Sequence, residues 1–242
     1  MDVAYGARYR ELYRRHWWWR ARERVILDAI RRHQPRDGWT SVLDVGCGDG
    51  LFFDTLAALP GVRHVEGVEP DATLVSPDGP HRARIHVQPF DARFQPGRRY
   101  SLIVMLDVLE HLADPDAALR QVHALLEPDG VFIATVPAFM ALWTRHDTLN
   151  HHYVRYTKRS AERVASEAGL HVEHARYFFH WTALAKLATR LLEAVIPGEP
   201  KPPSLPPTPI NRALYLASRT EEMLLRRARI PFGSSLLLVA GR

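Results

Sequence analysis

SVLDVGCGDG, running from Ser41 to Gly50, decides the fold of this chain. Val42, Leu43 and Val45 read as a short buried strand, with Asp44 near its end. Gly46, Gly48 and Gly50 follow, and Leu51, Phe52, Phe53, Asp54, Thr55 and Leu56 restart the chain as a helix. A strand that stops in alternating glycines and resumes as a helix is how α/β sheets hold a nucleotide-like ligand. Glycine tolerates the backbone conformations of such a turn and lets the main chain come close to the ligand. The spacing here is G-x-G-x-G with an acid two residues before the first glycine. It is not the G-x-G-x-x-G that cradles a pyrophosphate, and no Lys-Ser/Thr follows the last glycine as in a P-loop. An acid beside the turn repels a pyrophosphate and suits a ligand that carries an ammonium group.

Working outward, the next strand, HVEGVE at His64 to Glu69, also ends in an acid and is followed by Pro70. Glu69 lies 23 residues after Gly46, close to the spacing at which an acid receives ribose hydroxyls in such folds. A carboxylate can accept from both hydroxyls at once; Asp71 is second choice for that role. Ala72 to Arg84 is rich in Pro, Gly and Asp, so the crossover there is expected to be short or irregular. A third strand is expected at Arg84 to Gln88, with Phe90 and Asp91 at its exit. Tyr100 to Asp107, YSLIVMLD, is continuously apolar as a central parallel strand buried on both faces must be. It opens into Val108, Leu109, Glu110, His111 and Leu112. Asp114 then caps a helix that has Pro115 at its first position and runs to Leu126. A fifth strand is expected at Val131 to Val136, leading to Pro137.

VLDVGCGDG resembles the glycine motif of class I S-adenosylmethionine-dependent methyltransferases, whose cofactor carries an amine and a cationic sulfur. DVLEHL followed by Asp114 and Pro115 is similar to the fourth motif of the small-molecule branch, quinone O-methyltransferases included. It is unlike the N/D-P-P-Y/F of enzymes that methylate exocyclic amines of bases or protein glutamine. The LLEPDG turn before GVFIATVP also resembles the family, and the likeness is strong from Ser41 to Pro137 and loose elsewhere. It implies an α/β fold with a Rossmann-like seven-stranded, mostly parallel sheet, helices on both faces and a helical insertion before the last strand. His171 to Phe179 and Ser235 to Ala240 would form its antiparallel edge. It implies S-adenosylmethionine held by Asp44, Gly46, Cys47, Gly48, Glu69, Pro70, Asp91, Ala92, Leu106, Asp107 and Val108. In this arrangement Asp91 accepts from the adenine amine and the Ala92 N–H meets a ring nitrogen. The reaction implied is methyl transfer to a small molecule at oxygen or nitrogen. A binding protein that has lost transfer chemistry and, disfavoured by the glycine spacing, a nicotinamide oxidoreductase are the other readings.

The 242 residues are expected to form one domain: a helical lid at 1–37, a cofactor-binding core at 38–137 and an acceptor side at 138–242 with a helical insertion at 181–230. Residues 3–33 read as one helix whose Tyr5, Tyr9, Tyr13 and Trp17, four apart, make an aromatic row. Trp18 and Trp19 follow, then Val25, Ile26, Ala29 and Ile30 at core-facing spacing. Past the fifth strand, Trp143 to Thr157 carries His146, Asp147, His151, His152, Tyr153, Arg155 and Tyr156 and resembles a D…H-x-x-R-Y-T segment of one branch of the family. Transfer to a hydroxyl or amine needs a proton removed. His111, with an ordinary pKa of about 6.5, is the first choice of base, and His146 and His151 stand in reserve with His152. His146, Asp147, His151 and His152 could ligate a metal by type, but their spacing matches no known motif and no metal is expected. Thr157 caps a helix that Gly169 ends. In the insertion, Trp181, Leu184, Leu187, Ala188, Leu191 and Val195 form one apolar stripe. Pro197 to Pro209 holds seven prolines, and Ile210 to Arg229 reads as a second amphipathic helix. These helices pack on the core or a second copy, cap an apolar or aromatic acceptor, or touch a membrane surface with Arg226, Arg227 and Arg229.

Composition fits this reading: 46% hydrophobic, 24% charged, and a net charge of +5 from scattered arginines. No nucleic-acid partner is expected. Cys47 is the one cysteine, so no internal disulfide forms and a reducing cytoplasm suits the chain. Its place between two glycines marks it as a small loop residue rather than a nucleophile. No run reaches the ~18 apolar residues a membrane span needs, and the N-terminus is polar and Arg-rich. A monomer or a homodimer is equally compatible with the sequence.

Overall fold

The computed structural model describes residues 3–196, 198–199 and 203–242. Residues 1–2 of the expected lid and 197 and 200–202 of the proline-rich stretch lie outside the described residues, as does the side chain of Tyr5. Seven strands form one sheet: β1 (Ser41–Val45), β2 (His64–Val68), β3 (Ile85–His86), β4 (Tyr100–Leu106), β5 (Leu126–Pro137), β6 (His171–Phe178) and β7 (Ser235–Gly241). Their order is β3-β2-β1-β4-β5-β7-β6. β1 pairs in parallel with both β2 and β4, so the strand order reverses beside it, and a ligand crevice opens at the carboxyl ends of these strands. β7 runs antiparallel between β5 and β6, so it alone is reversed and β6 is the edge.

The alternation of side chains divides the core into two layers. Leu43, Val45, Ile103, Met105, Phe132, Ala134, Leu236 and Leu238 face α4 (Pro115–Leu125) and α6 (Lys158–Glu167), meeting Leu119, Val122, Ala161 and Ala165. Val42, Leu102, Val104, Ile133, Leu237 and Val239 face Val25, Ile26 and Ile30 of α2 (Trp17–Arg32) and Phe53 and Leu56 of α3 (Phe53–Ala57). The caps expected for α4 and α6 are present. Asp114 accepts from the Asp116 N–H at 3.0 Å and Thr157 from the Ser160 N–H at 3.1 Å.

Three expectations change. The helix expected over 3–33 breaks at His16 into α1 (Val3–Arg15) and α2. His16 is extended (φ −73, ψ 134) and its Nδ1 accepts from the Trp18 N–H, while the Trp17 N–H donates to Asn211 Oδ1 at 2.8 Å. Burial pushes the His16 pKa down to about 4, which keeps the ring neutral and its lone pair available for that cap. The aromatic row is therefore split: Trp17 packs on Trp181 at 5.3 Å and Phe179 at 6.4 Å, while Tyr9 meets Trp19 at 6.0 Å. The third strand shrinks to Ile85–His86, because Arg82–Arg84 coils into a 3₁₀ turn. The apolar stripe of α7 (His180–Val195) faces solvent beyond Trp181, with Leu184 62%, Leu191 62% and Val195 81% exposed.

The insertion is anchored at its ends. Glu221 of α8 (Thr208–Leu225) accepts from the His180 and Trp181 N–H groups at 2.8 and 2.7 Å, capping α7 from another helix. Arg176 of β6 pairs with Glu222 through two bonds of 2.6 and 3.1 Å.

Candidate functional site

The glycine loop leaves β1 with Gly46, Gly48 and Gly50 all at positive φ. A Cβ on Gly46 would stand 2.4 Å from Val108 Cγ2, because the loops after β1 and β4 lie back to back there. A Cβ on Gly48 would meet nothing within 4 Å, so this stretch of main chain borders open space. Glu69, 5% exposed, reaches from the end of β2 to hold the loop. It accepts from the Gly48 N–H at 2.9 Å through Oε2 and from the Asp71 N–H at 3.0 Å through Oε1. Burial raises its pKa, and those two N–H groups work the other way. Each carboxylate oxygen keeps a lone pair for a further donor. Asp44 is buried with it. Burial first, then the Glu69 charge, push its pKa up to about 8 against the pull of Arg22. A cation placed beside Asp44 and Glu69 would relieve both.

Cys47 sits in the loop as expected, and burial followed by the Asp44 and Glu69 charges pushes its thiol up, which removes it as a nucleophile. Gly67 in β2 makes room for it, since a Cβ there would stand 2.5 Å from Cys47 Sγ. Pro70 is exposed just beyond Glu69. Asp91 is held in its own turn by Arg93, whose Nε and Nη2 donate to it at 3.0 and 2.5 Å. Ala92 is exposed and its carbonyl accepts from Gln95 Nε2.

At the end of β4, past the half-buried Leu106, Asp107 adopts φ +58. Its Oδ1 accepts from Thr135 Oγ1 at 3.2 Å and pairs with Arg22 Nη2 at 2.8 Å. Arg22, 6% exposed, also donates to Thr135 and lies 5.2 Å from the Trp18 ring. Arg22 was not among the expected site residues. Its signal is an arginine one turn before Ile26 on the apolar face of α2, where a charge needs a buried partner. α1 closes over the same region: Arg10 Nη1 pairs with Asp49 Oδ2 at 2.9 Å, and Asp49 Oδ1 accepts from the Ser76 N–H.

The segment expected to form the acceptor side is knotted around Asp147, which is fully buried in α5 (Arg145–Leu149). It accepts from the Thr144 N–H at 2.8 Å, from Arg155 Nε and Nη2 at 2.9 and 2.8 Å, and from His152 Nδ1 at 2.9 Å. Burial opposes its charge, but the bonds from His152 and Arg155 outweigh it and hold the carboxyl well below the usual range. With Nδ1–H committed to Asp147, the lone pair of a neutral His152 sits on Nε2. The Tyr153 N–H donates to the Glu110 carbonyl at 2.7 Å and Tyr156 Oη to the Leu109 carbonyl at 3.3 Å. Those two bonds strap residues 151–156 onto the 3₁₀ turn Leu109–His111. The His111 and His152 rings meet edge to face at 4.7 Å. Burial of its inner edge, then His152, push the His111 pKa down to about 4, below the ordinary value expected of a base, although one edge of the ring stays open to solvent.

Glu110 completes this cluster. It is fully buried, and neither carboxylate oxygen has a hydrogen-bond partner among the described residues. Burial and the Asp107 charge push its pKa well up. The reserve histidines lie elsewhere. His151 is exposed at φ +55. His146 meets Asn150 Nδ2 at 2.9 Å and lines a separate cavity of about 400 Å³ with Thr144, Arg145, Lys186, Thr189 and Glu193.

Residues 18–175 match the family model of a methyltransferase domain. The chain is 30% identical over 122 residues to the ubiquinone biosynthesis O-methyltransferase of Methylobacterium nodulans, covering 45% of this chain and 48% of that protein. It is 27% identical over 179 residues to a Mycolicibacterium smegmatis protein named "Probable S-adenosylmethionine-dependent methyltransferase", covering 72% of this chain and 67% of that one. The chain thus spans about half the length of the ubiquinone-pathway relatives it matches. A chain from the complex between the Haloferax volcanii Trm112 methyltransferase activator and a methyltransferase shares the fold. Its TM-score is 0.62 at 18% identity, covering 99% of this chain and 96% of that one.

Proposed function

This chain belongs to the methyltransferase domain family; from that premise we propose that it transfers a methyl group from S-adenosylmethionine to a small molecule at oxygen or nitrogen, with a histidine taking the acceptor's proton. Family membership supports S-adenosylmethionine over a nicotinamide cofactor. The carrying observation is the pairing of an acid-lined glycine loop with a buried Asp147–His152 dyad across the carboxyl ends of the strands.

The residues at the strand ends fit the cofactor. The open space at Gly48, the remaining lone pairs of Glu69 and the buried acid Asp44 suit, in turn, close approach, a ribose diol and an ammonium. The adenine end is assigned to Asp91 and Ala92, with Leu106, Asp107 and Val108 as the wall toward the acceptor. When bound, S-adenosylmethionine supplies an electrophilic methyl group on a cationic sulfur. The protein's part is to hold the acceptor atom about 3 Å away and in line.

The proton acceptor assigned here is His152 Nε2. Asp147 fixes its tautomer and stabilises the imidazolium that forms, the role a buried carboxylate plays behind any catalytic imidazole. His111, edge-on to the same ring, positions it. Of the expected lid 1–37, α1 takes that role, consistent with the Arg10–Asp49 pair across the glycine loop, while α2 is packed in the core. The likeness to ubiquinone-pathway enzymes favours a phenolic, apolar acceptor. No helix among the described residues is long and apolar enough to cross a membrane. The exposed leucines of α7, with Arg226, Arg227 and Arg229 after α8, support peripheral contact with a membrane surface from the cytoplasm. The test is single-turnover transfer of labelled methyl to a panel of catechols and aromatic amines. Wild type is expected to label at least one of them. A cofactor-binding protein that labels none of the panel would reject the acceptor class.

A further inference from the structure

We infer that Glu110, His111 and His152 form a binding site for a divalent transition-metal ion. The three side chains each offer one ligand atom, and these atoms lie within 4.8 Å of one another. A tetrahedral Zn²⁺-sized ion with ligands at about 2.0–2.2 Å holds ligand atoms about 3.4 Å apart, so the cluster needs to close by up to about 1.4 Å. The strongest sign is Glu110. It is 0% exposed, both of its oxygens lack a partner among the described residues, and it stands beside two imidazoles. Buried carboxylates are ordinarily hydrogen-bonded or bound to a metal, because an unpaired charge in a dry interior is strongly disfavoured.

The surroundings match what a metal site requires beyond its ligands. Ligating histidines present one nitrogen to the ion and donate from the other to a carboxylate or carbonyl. His152 has that arrangement, with Nδ1 on Asp147 and Nε2 free. Asp147 is itself fixed by Arg155 and Thr144. The backbone straps at Tyr153 and Tyr156 hold the two histidine-bearing segments together without using a ligand atom. Two imidazoles and one carboxylate suit Zn²⁺, Co²⁺, Fe²⁺ or Ni²⁺ and not the all-oxygen preference of Mg²⁺ or Ca²⁺. Three protein ligands leave a position open, and the solvent-facing edge of His111 leaves a way in. The site goes beyond the methyl-transfer reading and shares a side chain with it. The Nε2 lone pair that takes a proton in the metal-free protein is the one the ion would occupy, so the two exclude each other.

The experiment is a titration of chelator-treated full-length protein with Co²⁺, read by visible d–d absorption and by calorimetry, with neither acceptor nor S-adenosylmethionine present. One equivalent is expected to bind, Zn²⁺ to displace it and Mg²⁺ to leave the spectrum unchanged. Glu110→Gln and His111→Gln should each weaken binding by more than the ~10–100-fold that loss of a supporting partner causes. His174→Ala, on the exposed side of β6, should bind as wild type does. His111→Gln covers the case in which Glu110→Gln misfolds, and thermal melting checks both. Wild-type protein that gives no cobalt spectrum overturns the proposal, and so does a spectrum that survives both variants. Because the readout needs no turnover, a failed acceptor assignment and a failed metal site give different results.

Discussion

The carboxyl ends of β1 and β2 and the loop that follows β5 build their parts of the site in opposite ways. At the glycine loop, the main contact is a backbone N–H of Gly48 on Glu69, joining positions 21 residues apart. Around Asp147 and His111, side chains from separate segments interlock: Arg155 on Asp147, His152 against His111, and Tyr156 on Leu109, 47 residues away. Main-chain cradles depend on glycine conformations and an acid at a strand end, which are local properties. Side-chain knots depend on which loops the fold brings together. The first kind suits a ligand that is the same in every family member; the second is free to vary with the acceptor.

The sharpest way to break this contrast is His152→Ala. It should lower single-turnover methyl transfer by about 10²–10⁴-fold, the ordinary contribution of a positioned base, while calorimetry finds cofactor affinity within about twofold of wild type. If affinity fell along with rate, the two halves would not be separable. Asp147→Ala removes the partner of a buried guanidinium, so a loss of about 3–5 kcal/mol is expected in a denaturant melt. Its depressed pKa means that this stability is present above the unfolded value and is lost only as pH falls well below it. An unchanged midpoint would show that Arg155 finds another anion.

On the other side, Glu69→Ala should weaken S-adenosylmethionine binding at least about tenfold, since a hydrogen bond to a charged group contributes about 1.5–3 kcal/mol. Calorimetry showing equal affinity would remove Glu69 from the ribose. A smaller effect concerns Asp44. With its pKa near 8, it is largely protonated at neutral pH. A ligand ammonium favours the ionised form, so binding releases a proton. Affinity should therefore rise from about pH 6 to about pH 7.5, by no more than about tenfold per unit. Calorimetry in buffers of different ionisation enthalpy would detect the proton. A flat profile would place the ammonium elsewhere.

The backbone form of the glycine-loop half was legible because its information is local. Strand, glycine turn and terminal acid recur as contiguous residues, and the period-2 burial of Val42, Leu43 and Val45 follows from the pleat. The caps at Asp114 and Thr157 were readable for the same reason. The half around Asp147 and His111 was legible only as a list of polar residues. Four histidines stood in contention, and nothing in their spacing separates the exposed His151 from the His152 that Asp147 orients. Arg22 contacts Thr135 across 113 residues, and no linear pattern carries a pairing of that span. The break at His16 likewise depends on Asn211, a partner from the far end of the chain. Glu110 looks like one more acid in a familiar motif until the fold buries it with no hydrogen-bond partner among the described residues. Sequence alone determined which backbone turns could hold a cofactor, because dihedral preference and hydrophobic period are written residue by residue. Which side chains share a buried space was decided by the tertiary structure, because desolvation and hydrogen-bond geometry depend on neighbours that only folding supplies.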